Sequence, residues 1–156
     1  MKIKVLSDST CDLSKELVQK YNIGIIPLTV IKDNQAYSDA VNITPAEIFA
    51  HVAAGGDLCT TAALNVNEYI QAFSEYTKDY DGVLHVNISS QFSSSYQNAC
   101  LAAEEFDNVC AVDSMNLSTG QGLVVLEACR LAEACTSLEE LKQKVQSFAQ
   151  KVEASF

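Results

Sequence analysis

Short apolar runs alternate along this chain with segments whose apolar residues recur every three or four positions. Residues 3–7 form a short apolar-leaning stretch with the β-branched Ile3 and Val5 that ends in Ser7-Asp8-Ser9-Thr10, the pattern of a buried strand entering a loop. Asp12 is placed to cap a helix in which Leu13, Leu17, Val18 and Tyr21 share a face, closed by Asn22 or Gly24. The next apolar run, 23–31, contains Pro27, which predicts an edge or bulged strand. Asp33-Asn34 predicts a turn, with 35–37 as a return strand.

Thr44-Pro45-Ala46-Glu47 sets a capping residue, a proline and a glutamate at successive helix-start positions and predicts a helix that Gly55-Gly56 ends. Tyr69, Ile70, Phe73 and Tyr76 mark one face of a further helix over about 67–78. Strands are predicted at 82–88 and 109–112, followed by helices over 96–106 and 118–135, and Thr136-Ser137 starts a last helix running to about 152. Strands separated by helices in this order imply an α/β fold, a largely parallel sheet with helices on both faces. Residues 1–152 are expected to form one domain.

A length of 156 residues suits one domain with a core of its own, and 48% apolar against 19% charged residues excludes a disordered chain. Twenty acidic and ten basic residues leave a net charge of -10, the wrong sign for binding nucleic acid or an anionic membrane through neutralised phosphates. No apolar run approaches the ~20 residues of a membrane span, so stable membrane insertion is not expected. Nothing at the N-terminus reads as a secretory leader, so the six cysteines, with no CxxC among them, are read as reduced thiols of a cytoplasmic protein. Two histidines and no Cys/His cluster argue against structural zinc.

Three of the predicted strands end in small polar residues: Ser9 and its neighbours, Ser89 followed by Ser93, Ser94 and Ser95, and Asp113-Ser114. Ligands of open parallel sheets bind at the carboxyl ends of the strands, so these loops, with the segment holding Thr61, are expected to meet on one rim. A helix starting near Ser93 to Ser95 offers free N–H groups, a partial positive charge and hydroxyl donors, which together suit a carboxylate or phosphate. There is no P-loop, no GxGxxG and no nucleophile elbow. His85, inside a strand, reads as a buried, hydrogen-bonded core residue. An alternative is a magnesium-dependent phosphoryl-transfer or hydrolytic enzyme using Asp8 and Asp113, with Asp39 as a further acid.

At these residues the chain resembles the DegV family of fatty-acid-binding proteins over essentially its whole length. Ser7-Asp8-Ser9-Thr10-Cys11-Asp12-Leu13 resembles the family's SDSTxDL start, and Pro27-Leu28 with Tyr37-Ser38-Asp39 its PL…YxD segment. Ile88-Ser89-Ser90-Gln91-Phe92-Ser93-Ser94-Ser95-Tyr96-Gln97-Asn98-Ala99 resembles ISSxLSGTYQSA, and Val112-Asp113-Ser114 falls where VDS is expected. The resemblance implies a binding protein rather than an enzyme. Its ligand would be a long-chain fatty acid, with no cofactor, its carboxylate held at Thr61 and Ser93 for a separate fatty acid kinase subunit. Two departures stand out: Ala62-Ala63 replaces a hydroxyl and an amide beside Thr61, and Ser94 replaces a glycine, so the backbone there must accept a side chain.

Similar proteins carry a second domain that completes the lipid tunnel, so 153–156 is expected to be the start of that domain or a linker to it, and the chain a truncated form. At ~0.8 kcal/mol per buried methylene, a sixteen-carbon tail gains on the order of 11 kcal/mol in a closed tunnel and much less against one open wall. Weak binding and self-association through the uncovered face follow as expectations.

Overall fold

The computed structural model describes residues 1–155; residue 156, the last of the segment expected to lead towards a second domain, lies outside the described residues. Four strands, β1 (Ile3–Asp8), β2 (Gly24–Ile26), β6 (Gly82–Asn87) and β7 (Val109–Asp113), form an all-parallel sheet in the order β2-β1-β6-β7. Three more, β3 (Thr29–Lys32), β4 (Gln35–Ser38) and β5 (Thr60–Ala62), make a small antiparallel sheet in the order β4-β3-β5. The helices are α1 (Lys15–Lys20), α2 (Pro45–Ala53), α3 (Val66–Tyr76), α4 (Ser95–Ala103), α5 (Ser118–Ala132) and α6 (Leu138–Ala149).

The period of two along each parallel strand sorts its side chains between two cores. Val5, Leu84, Val86 and Val112 pack against Val124, Val125 and Ala128 of α5 and Leu141 and Val145 of α6. Leu6, Val83, Val109 and Ala111 face the other way, onto Tyr69 and Phe73 of α3 and Ala99, Ala102 and Ala103 of α4. Helices therefore cover both faces, as the alternating pattern predicts. Both faces of the sheet bury apolar side chains, which is why its strands read as continuous apolar runs rather than alternating ones.

Three local expectations are corrected. The run 23–31 is two strands in two sheets: Pro27 has no N–H to give, and the chain leaves the parallel sheet there, so only β2 is its edge strand. The Leu28 N–H instead donates to Ser9 Oγ at 3.2 Å. Ser14, not Asp12, caps α1, its hydroxyl accepting from Leu17 N, while Asp12 takes a left-handed conformation at φ 50° that a short polar side chain tolerates. Around Thr61 the expected loop is β5, pairing with β3 in the register Val30↔Thr61. The helix after it starts one residue earlier than its apolar face suggests, because Asn65 and Glu68 form a reciprocal capping box.

Gly122 marks how closely α5 approaches the end of β1: a Cβ there would lie 2.7 Å from the Cys11 carbonyl oxygen. All six cysteines are free thiols. Among the described residues no helix is long and apolar enough to cross a membrane.

Candidate functional site

The small antiparallel sheet stands beyond the carboxyl ends of β1 and β6, and between them lies a cavity of about 440 Å³. Its polar lining comes from Thr10, Asp39, Thr61, Ser93 and Ser94. Its apolar lining comes from Leu28, Val30, Ile88, Phe92 and Leu117, with Ala62 and Ala63 beside Thr61. A cavity lined by both hydroxyl-bearing and apolar side chains has the composition to take a ligand with a polar head and a carbon tail.

The structure brings Thr61, Ser93 and Ser94 to this cavity, from β5 and from the start of α4. Ser94 precedes the helix at φ -76° and ψ 0°, a right-handed conformation open to any residue, so its side chain costs the turn nothing. Ser95 sits behind the lining rather than on it. It is fully buried, its N–H donates to Ser93 Oγ at 3.1 Å, and the two hydroxyl oxygens are 2.8 Å apart.

Two expected residues turn elsewhere. Ser89 is 2% exposed, and its Oγ accepts from Gln91 N while its own N–H donates to Asn116 O, so it shapes the loop from inside. Ser9 borders a second, mostly apolar cavity of about 380 Å³ with Leu13, Val18, Ile25 and Pro27. Asp39 borders both cavities.

Beneath the rim lies a buried polar cluster that the strand pattern explains in retrospect. Leu6 of β1 is in register with His85 of β6, so Asp8, two residues on, shares a face with His85 and Asn87, the face that α3 covers. All four polar residues of the cluster, Asp8, Tyr69, His85 and Asn87, are fully buried. Asp8 Oδ1 accepts from Tyr69 Oη and from His85 Nε2, each at 3.0 Å; Asp8 Oδ2 accepts from Ile88 N at 2.8 Å and from Asn87 Nδ2 at 3.2 Å. The Asn87 amide also donates to Tyr69 Oη at 3.2 Å. Against an Asp8 carboxylate, which can only accept, His85 donates from Nε2, and among the described residues His85 Nδ1 and Asn87 Oδ1 have no hydrogen-bond partner. The donors of the cluster converge on a single carboxylate. Burial, with the Asp8 charge next in weight, pushes the Tyr69 phenol well above its ordinary value, and the Ser95 hydroxyl acts on it in the opposite sense as a donor.

A second chain of polar groups, buried at Ser7 and Gln121 and half-buried at Thr10, reaches the cavity from the other face. Thr10 Oγ1 donates to Gln121 Oε1 at 2.8 Å, and Gln121 Nε2 donates to Ser7 Oγ at 3.1 Å. The sequence pattern predicts a buried, bonded His85, a rim loop holding Thr10 and an apolar helix face holding Tyr69, but gives no polar role to Tyr69 and none at all to Asn87 and Gln121. Only the shared strand face of His85 and Asn87 could have suggested any of them.

The phosphoryl-transfer alternative finds no support. Asp8 is sealed beneath the rim with both oxygens engaged, and Asp113 accepts from Ser90 N and Met115 N within its own loops. Among the described residues no group of three or more His, Cys, Asp or Glu side chains could hold a metal ion.

A parallel sheet covered on both faces, with a cavity of hydroxyl and apolar lining at its rim, defines an α/β domain with a candidate small-molecule site. The chain belongs to the DegV family: the model of that family of uncharacterised proteins matches residues 2–156. A DegV domain-containing protein of Clostridium perfringens is 34% identical over 156 residues, covering 99% of this chain and 56% of the relative. A fatty-acid-binding DegV family protein of Thermus thermophilus superposes with a TM-score of 0.86 at 34% identity, covering 96% of this chain and 54% of that one. A stearic-acid-binding protein of Eubacterium ventriosum superposes at 0.79 with 32% identity, covering 92% and 52%. The chain spans about half the length of these relatives.

Proposed function

We propose that this chain binds a long-chain fatty acid, with the carboxylate at Thr61 and Ser93 and the first part of the tail on the apolar wall of the same cavity. One observation carries the reading: Thr61 from β5 and Ser93 from the loop before α4 line one cavity whose other lining residues are mostly apolar. Ser94 adds a third polar side chain, and the start of α4 adds backbone N–H groups with a partial positive charge. The names of the Thermus and Eubacterium neighbours support the class of ligand.

In this reading the protein is a carrier, not a catalyst, and presents the acid to a fatty acid kinase subunit. Residues 1–152 are the N-terminal α/β domain of a DegV protein. Exposed Val41, Phe49, Leu58 and Met115 are apolar surface for a covering partner, whether a further domain or a second copy of this chain.

Native mass spectrometry of purified protein tests the reading, with an excess mass matching a C16 or C18 acid as the expected result. Thr61→Ala and Ser93→Ala should each weaken palmitate binding by about three- to tenfold, the worth of one hydrogen bond to a charged group partly offset by water. Palmitate affinity unchanged in both variants would refute the headgroup assignment.

A further inference from the structure

We infer that Thr10 meets the ligand as a hydrogen-bond acceptor, and that the acid this cavity favours carries a hydroxyl close to its carboxylate, whose hydrogen Thr10 receives. The inference rests on the reading of this cavity as a fatty-acid site and narrows its ligand class.

The direction of the Thr10 hydrogen follows from what lies behind it. Gln121 of α5 is fully buried, and its Nε2 lies 3.1 Å from Ser7 Oγ and 3.4 Å from the Val86 carbonyl oxygen. Neither has a hydrogen for the amide. A carbonyl only accepts, and the Ser7 hydroxyl donates its own hydrogen to the same Val86 oxygen at 3.0 Å. The amide nitrogen therefore belongs on this side, since turning the amide over would set two acceptor oxygens against each other at Val86. Its Oε1 then faces Thr10 and accepts from Thr10 Oγ1 at 2.8 Å.

Thr10 also lines the cavity. Its one hydroxyl hydrogen is engaged by Gln121, so any hydrogen bond it makes to a ligand is one it accepts. Asp39, on the same lining, strengthens this character, because a carboxylate too has no hydrogen to give. Thr61, Ser93 and Ser94 differ: each carries a hydroxyl that can donate, and the start of α4 adds backbone N–H groups. One cavity thus joins groups that suit an acceptor on the ligand to groups that suit a donor.

A plain fatty acid matches only the first set. Its carboxylate leaves Thr10 and Asp39 to carbon or to like charge, and an acceptor covered without a donor is costly. A hydroxyl on a carbon next to the carboxylate supplies the missing donor. A site arranged to hydrogen-bond a hydroxyl discriminates against the analogue that lacks it.

The test is displacement of a fluorescent fatty acid from this chain by palmitate, 2- and 3-hydroxypalmitate, and 2- and 3-methoxypalmitate, in which the ether keeps the oxygen and loses the hydrogen. At least one hydroxy acid should bind about three- to tenfold more tightly than palmitate, and its methoxy counterpart should not. Thr10→Val should cut that advantage, and Thr10→Ser, which keeps the hydroxyl, should retain it. Hydroxy acids no tighter than palmitate, or matched by their ethers, overturn the inference. So does an advantage that survives whole in Thr10→Val, or one lost equally in Thr10→Ser, the mark of a packing effect. Should Thr10→Val fail to fold, the wild-type comparison and Thr10→Ser decide. Palmitate that binds through Thr61 and Ser93 with no gain from a hydroxyl overturns this inference alone, whereas failure of every acid to displace the probe overturns the fatty-acid reading with it.

Discussion

Asp8 and His85 meet at 3.0 Å with both side chains at 0% exposure, on neighbouring strands at the centre of the parallel sheet. Four donors converge on that carboxylate, from Tyr69, His85, Asn87 and the Ile88 backbone. A buried acceptor of this kind is valuable chiefly because its removal strands the donors.

Asp8→Ala should therefore destabilise the fold by about 3–5 kcal/mol, the usual cost of removing one member of a buried charged network. Urea unfolding followed by circular dichroism measures it, as a large fall in midpoint at similar slope. A loss below about 1 kcal/mol would place the Asp8 network outside the stabilising core.

The start of α6 carries a pH dependence of known sign. Lys144 and Thr136 hydrogen-bond to the Glu140 carboxylate and depress it from its ordinary 4.5 to about 2. A carboxyl depressed on folding adds stability that is present above about 4.5 and is lost as pH falls through about 2. The difference in urea midpoint between the wild type and Glu140→Gln should be largest at neutral pH and close over that window. A difference that stays constant to pH 2 would show that the Glu140 contacts do not form in solution.

The α/β alternation, the two covered faces and the Thr44 helix start were legible because each depends on contacts within a few residues or on a simple period. The division of 23–31 between two sheets was not, since Pro27 tells that a ladder is interrupted but not where the chain goes next. β5 escaped for a related reason: Thr60–Ala62 has no apolar alternation of its own and is a strand only because β3 offers it a partner. At the site, Ser93 and Ser94 stood out as a hydroxyl cluster, whereas Ser9 and Ser89 belong to the same cluster in sequence but spend their oxygens on Leu28 N and Gln91 N. Which hydroxyl is spent inward depends on tertiary neighbours that no local pattern records. Tyr69 was legible only as an apolar helix residue, because its one polar atom meets partners 61 and 18 residues away.

Thiol reactivity should follow burial. Burial pushes Cys110 and Cys129 up to about 12, the nearby lysines Lys142 and Lys4 only partly opposing it, and raises Cys11 as well. The thiolate is the reactive form, so iodoacetamide at pH 8 should leave these three intact in the native protein and modify them on unfolding in urea. Cys59, partly exposed beside β5, should be alkylated first. Peptide mapping by mass spectrometry gives the order, and labelling of Cys129 as fast as Cys59 would contradict the packing of α5 described here.

The close approach of α5 to the end of β1 makes Gly122 a sensitive position. A methyl group at residue 122 would press on the Cys11 carbonyl oxygen at 2.7 Å and on the Leu13 side chain at 3.1 Å. Leu13 can turn aside, but the carbonyl belongs to the backbone turn that follows Asp8, so relief requires α5 to move outward. That movement would carry Gln121 away from Thr10 and Ser7, the residues it bridges. Elsewhere in a helix, glycine to alanine stabilises by up to about 1 kcal/mol; here overpacking should reverse the sign and cost about 1–3 kcal/mol. Urea unfolding of Gly122→Ala decides between the two, and a variant more stable than the wild type would show that α5 sits farther from β1 than its glycine implies.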